Sequence, residues 1–127
     1  MEKAYAKLHG WYENLNGGSI SQALVDLTGG VSEKILLHSQ EVTQAKENEQ
    51  LWKELRKYYQ MGYLLGCAYS AVDDEGTQEE GQGNQGIQYN HAYGVMDIRS
   101  ALGLQLVRIR NPWGVGEWTG ALADEDE

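Results

Sequence analysis

The sequence predicts an α+β fold, and three features of its patterning lead there. Apolar residues recur at helical spacing up to Gly29-Gly30 and again across Val42 to Met61. From Tyr63 onward they gather in short runs of strand length. Glycine pairs punctuate the chain, and Gly29-Gly30 marks the best internal boundary, with helices before it and mostly strands after it.

Each element has its own signal. Glu2 to Asn14 reads as a helix, with Ala4, Leu8, Trp11 and Tyr12 near one stripe and Gly17-Gly18 as its stop. Ser19 to Leu27 reads as a second, short helix, capped by Ser19 or Ser21 and apolar at Ile20, Ala23, Leu24 and Leu27. Val31 to His38 is expected to be a strand around Ile35-Leu36-Leu37. Val42 to Met61 carries strong helix formers throughout, with Leu51, Trp52, Leu55 and Tyr58 at helical spacing, and Gly62 ends it. Tyr63 to Ser70 fits a buried strand, and Asp73 to Gly86, acidic and rich in Gly and Gln, fits a loop. A hairpin follows, Gln88–Ile98 and Gln105–Asn111, joined by 99–104. Beyond Pro112 the chain reads as loop, with an acidic, frayed end.

The totals narrow the function. The 127 residues suffice for one modest domain and carry a net charge of −9, which argues against nucleic acid and anionic membranes as partners. A lone Cys excludes an internal disulfide and a Cys-based structural zinc site, and fits a reducing compartment. No apolar run reaches the roughly 18–20 residues of a membrane span, so no transmembrane segment is expected. The acidic clusters read first as solvated loops and tails, with cation binding the lesser reading.

Chemistry concentrates at the hairpin. A hairpin centred near Ala101 sets His91 directly opposite Asn111, where Cβ atoms are roughly 4.5–5.5 Å apart. An imidazole oriented by a carboxamide is two thirds of a cysteine-protease triad. Asn111 also precedes Pro112, which alone explains an Asn at a turn start and also holds Asn111 extended. Trp113, in Pro-Trp-Gly, is positioned to cover the His–Asn bond and exclude water, whereas Trp118 reads as packing. Cys67 is rejected as the nucleophile: it sits mid-strand in an apolar run, without a flanking base or a helix N-terminus. Glu117 and Asp124 fall far short of the six to eight oxygens calcium takes, so composition alone leaves them as surface carboxylates.

Several separated motifs resemble the calpain protease core. They are His91-Ala92-Tyr93, Asn111-Pro112-Trp113-Gly114 and Glu117-Trp118-Thr119-Gly120, with Glu2 to Leu8, Gly17-Gly18, Leu27-Thr28-Gly29-Gly30-Val31 and Leu64-Leu65-Gly66-Cys67 upstream. The resemblance spans nearly the whole chain in the family's order. It implies a papain-like cysteine proteinase architecture, with 1–30 the end of the first, helical subdomain and 31–127 much of the second, β-rich one. It implies limited, calcium-dependent proteolysis of protein substrates in the cytoplasm, with His91 as general base and acid, Asn111 as its orienter and Trp113 as a shield. Gly29 and Gly30 match glycines that offer backbone hydrogen bonds to substrate, and Glu117 and Asp124 match acidic positions that help bind calcium.

Three departures accompany this match. The family's catalytic Cys precedes the segment matching Met1 onward, so this chain alone is expected to be inactive and to need an upstream nucleophile subdomain, with accessory domains as further possible partners. Cys67 matches a non-catalytic position. Asn90 stands where the family usually has Gly, and Leu122 where an aromatic is frequent. Two other classes remain open: a non-catalytic calpain-like binding or regulatory module, and a small acidic calcium-binding protein.

Overall fold

The computed structural model describes residues 1–47, 49–70 and 80–123. It is α+β and forms two compact units, Met1–Ile35 and Leu36–Glu127.

The first unit is helical. Helix α1 spans Glu2–Leu8, a 3-10 turn spans Tyr12–Leu15, and α2 spans Ile20–Thr28. The helix expected over 2–14 is split at Gly10, whose φ of +100° no continuing helix can hold. The two helices are tied at Asp26. Its Oδ2 accepts from the Tyr5 hydroxyl (3.0 Å) and meets His9 Nε2 (3.1 Å), and its Oδ1 accepts from Gln22 Nε2 at 2.9 Å. Tyr5 and His9 are four residues apart and share one face of α1, so both reach the same carboxylate. Gly29, left-handed at φ +69°, closes α2 by donating its amide to Val25 O.

The second unit opens with helices. The strand expected over 31–38 does not form: Val31, Leu36 and Leu37 are exposed, and the Ser39 amide closes a turn onto Leu36 O. Local apolarity gives a strand nothing to pair with, and an unpaired strand is unstable in water. Ser39 instead caps α3, Gln40–Glu47, by accepting from the Val42 amide at 3.3 Å. The single helix expected over 42–61 is two: α4 spans Gln50–Gln60, and Glu49, left-handed at φ +55°, breaks the path before it. Tyr59 anchors α4 to the sheet by donating to Met96 O.

Among the described residues the sheet has five strands: β1 Gly66–Tyr69, β2 Gly81–Gln82, β3 Gln88–Tyr89, β4 His91–Ala101 and β5 Leu104–Arg110. Their order is β2-β3-β1-β4-β5; β1 runs parallel to β3 and antiparallel to β4. Strand β1 is central but not buried, contrary to its apolar sequence: Tyr69 is half exposed, as are Tyr63 and Leu64 in the segment leading into it. Of the acidic stretch expected as loop over 73–86, residues 73–79 lie outside the described residues; the rest includes β2 and a 3-10 turn at Asn84–Gly86.

The hairpin is tighter than expected. Its two-residue turn is Leu102-Gly103, with both φ positive, as a type I′ turn requires. Ala101 therefore pairs with Leu104, and a bulge at Met96 shifts the register so that Gly94 faces Arg110. The chief buried residues of this unit, His91, Tyr93 and Ile98, all lie on β4.

A buried imidazole locked between a carboxamide and an indole

His91 begins β4 and is 4% exposed. Direct opposition to Asn111 is not how the two meet. The turn lies past Ala101, so one step beyond the Gly94–Arg110 pair sets Asn111 across from Tyr93. His91 is two residues further on, on the same face, a diagonal that a long side chain spans. The result is a hydrogen bond of 2.8 Å between His91 Nε2 and Asn111 Oδ1.

The carboxamide is fixed from both ends. Its Oδ1 also accepts the Trp113 amide at 3.0 Å, and its Nδ2 donates to Val115 O at 2.8 Å. Gly114, left-handed at φ +69°, donates its amide to Asn111 O, which folds 111–115 around the side chain. Pro112 keeps Asn111 extended at the strand end. With its oxygen turned to His91, Asn111 can only accept, so Nε2 carries the proton.

Two aromatics enclose the ring. The Trp113 indole lies 4.1 Å from the imidazole, centroid to centroid, tilted by 48°. Tyr93 meets its edge at 5.1 Å, and the Tyr93 hydroxyl accepts the Gln88 amide. Trp113 is 52% exposed, so it covers one face of the imidazole and keeps its own outer face in water. The remaining ring nitrogen, Nδ1, lies 3.0 Å from Glu80 Oε1.

Asn90, just before His91, has φ +55° and donates its amide to Tyr69 O at 2.7 Å. This backbone is left-handed, a conformation that Gly adopts freely and that Asn tolerates better than most residues. Cys67 faces Tyr93 across β1 and β4, and burial pushes its thiol pKa up. That shift opposes thiolate formation.

Gly29 and Gly30 belong to the first unit, where the Gly30 amide donates to Thr28 Oγ1. Glu117 is exposed, and its carbonyl lies where a Cβ on Gly86 would fall, so Gly86 lets that loop pass. Among the described residues no group of three or more His, Cys, Asp or Glu side chains could hold a metal ion, and Asp124 lies outside them. Trp118 packs on Gly120 and donates Nε1–H to Ala121 O. Glu80 and Tyr93 were not among the residues singled out by sequence. Glu80 reads there as one more member of a solvated acidic run, and only sheet pairing brings it to His91.

A buried imidazole with one nitrogen held by an acceptor, and an indole on its face, is the arrangement an oriented general base requires. Comparison with known proteins places the chain in a family. All of residues 1–127 match the calpain family cysteine protease profile. The calpain-type cysteine protease DEK1 of Arabidopsis thaliana is 43% identical over 125 residues, covering 98% of this chain and 6% of the relative. Calpain-5 of Mus musculus is 39% identical over 140 residues, covering 100% of this chain and 22% of the relative. The calpain-2 catalytic subunit of Macaca fascicularis is 40% identical over 131 residues, covering 98% of this chain and 17% of the relative. The chain belongs to the calpain family of cysteine proteases, and it spans less than a quarter of each of these relatives.

Proposed function

We propose that this chain supplies the base-bearing part of a calpain-type cysteine endopeptidase of papain-like architecture. The observation that carries the reading is the hydrogen bond of His91 Nε2 to Asn111, beneath Trp113. A thiol gives its proton to the nitrogen that Asn111 does not hold, Nδ1, and the thiolate attacks a peptide carbonyl. His91 then returns that proton to the leaving amine, an acyl-enzyme forms, and water activated by the same nitrogen releases it. Asn111 keeps the ring turned throughout and adds no charge to it.

The nucleophile comes from elsewhere in the parent polypeptide: Cys67 lies within β1, and burial raises its thiol pKa. Gly29 and Gly30 offer backbone hydrogen bonds to the substrate strand. Protein substrates and a cytoplasmic setting follow from the family resemblance; no helix among the described residues is long and apolar enough to cross a membrane. A calcium role for Glu117 and Asp124 rests on the resemblance alone, and no step is routed through the ion.

The residues 1–127 alone should not cleave an unstructured protein such as denatured casein. Cleavage by purified chain that disappears on His91→Ala would overturn the assignment of the nucleophile. In the parent polypeptide the same substitution should abolish peptidase activity; retained activity there would instead make this segment a binding module.

A further inference from the structure

We propose that Glu80 is a positioning residue for His91: its carboxylate occupies Nδ1, the nitrogen a cysteine thiolate must pair with, and has to leave before the nucleophile engages. The inference rests on the peptidase reading of His91. Its geometry is independent of that reading.

The argument is one of proton counting. Trp113 N–H and Val115 O fix the orientation of the Asn111 amide, so His91 Nε2 must donate. Glu80 Oε1 lies 3.0 Å from Nδ1. Two lone pairs at that distance repel, so the geometry requires a proton between Nδ1 and the carboxyl oxygen. Trp113 covers a face of the ring and Tyr93 its edge, so an incoming group meets the imidazole at Nδ1. Glu80 stands at that point.

The carboxylate thus holds the place of a thiolate. Both are anions that accept the Nδ1 proton and fix the ring plane. Glu80 is 48% exposed where His91 is 4% exposed, so the acid can return to water while the imidazole stays. In the exchange Glu80 is hydrated and the proton between it and Nδ1 passes to solvent. The thiol S–H bond then breaks, its proton goes to Nδ1, and the thiolate takes the place of the carboxylate. Charge is conserved at the ring, and the indole and carboxamide contacts need not move.

Two measurements test this. Nitrogen-15 spectra of the His91 ring should show more Nδ1–H at about pH 7.5, one unit above the ordinary histidine value, in the wild-type chain than in Glu80→Gln or Glu80→Ala. The expected difference is about twofold to fivefold, the effect of a partly exposed ion pair. Nε2–H should persist in all three proteins, which reports that the fold and the Asn111 bond are intact. Equal Nδ1 protonation in all three would overturn the proposal. In the parent polypeptide, Glu80→Gln should speed iodoacetamide alkylation of the catalytic thiol by a similar factor, and His91→Ala should slow it. An unchanged or slower thiol in Glu80→Gln, with a slowed one in His91→Ala, overturns the placeholder and leaves the peptidase reading standing. A thiol insensitive to His91→Ala overturns both.

Discussion

Replacing Asn111 by Ala removes three hydrogen bonds at once, and they are not equal in energy. The Trp113 amide and Val115 carbonyl belong to exposed residues and can bond to water instead, so losing them costs little. His91 is 4% exposed, and its Nε2–H is left without its acceptor. An unsatisfied buried donor costs about 1–3 kcal/mol. A water entering the vacated space would recover part of that, so a loss of about 1–2 kcal/mol is expected. Urea denaturation followed by tryptophan fluorescence measures it, and the denaturant slope should stay constant. Asn111→Asp keeps an acceptor toward Nε2–H and should lose less. In the parent polypeptide Asn111→Ala should lower kcat by about 10–100-fold with little change in KM. Only orientation is removed, whereas general acid–base catalysis as a whole contributes about 10²–10⁴. A stability loss below about 0.5 kcal/mol, or an Asp variant no better than Ala, would refute the claim that this bond holds the buried imidazole.

Two further predictions concern the scaffold. Leu102 is 92% exposed and left-handed at φ +53°, so Leu102→Asn should stabilise the hairpin by about 0.5–1 kcal/mol, read by the same denaturation; destabilisation would mean that the turn is not type I′. The Asp26 carboxyl is held below its ordinary value of 3.8, first by the hydrogen bond from Gln22 and then by Tyr5 and His9. The folded state therefore takes up this proton less readily than the unfolded chain. The contribution of Asp26 is fully present above about pH 3.8 and is lost as pH falls through the lower folded value, while Asp26→Asn should flatten that acid limb in a pH series of melts.

Much of this molecule is legible in its sequence because some constraints are local. Gly29 ends a helix through its own backbone freedom, as its place after an apolar helical stripe indicates, whereas Gly10 splits a segment whose pattern reads as one helix. The pairing of His91 with Asn111 was readable from spacing alone, although the reasoning behind it required a turn one and a half residues too early. Two compensating features, the later turn and the bulge at Met96, turned direct opposition into a diagonal that the imidazole still bridges. The missed strand over 31–38 and the split helix over 42–61 share one cause. Apolar content and propensity state what a segment could become, and partners and single left-handed residues decide whether it does.

By itself, then, the sequence determined the family, the mixed class and the meeting of His91 with Asn111, because each rests on residue types at short spacing. Only the tertiary structure decided which nitrogen of His91 meets Asn111 and what lies against the other. Glu80 is eleven residues from His91 along the chain, and no local pattern separates it from its acidic neighbours. Its meeting with Nδ1 depends on β2 pairing with β3, β3 with β1, and β1 with β4, and on the amide of Asn111 being turned by Trp113 and Val115. Those contacts are long-range and cooperative, so they exist only once the sheet has formed.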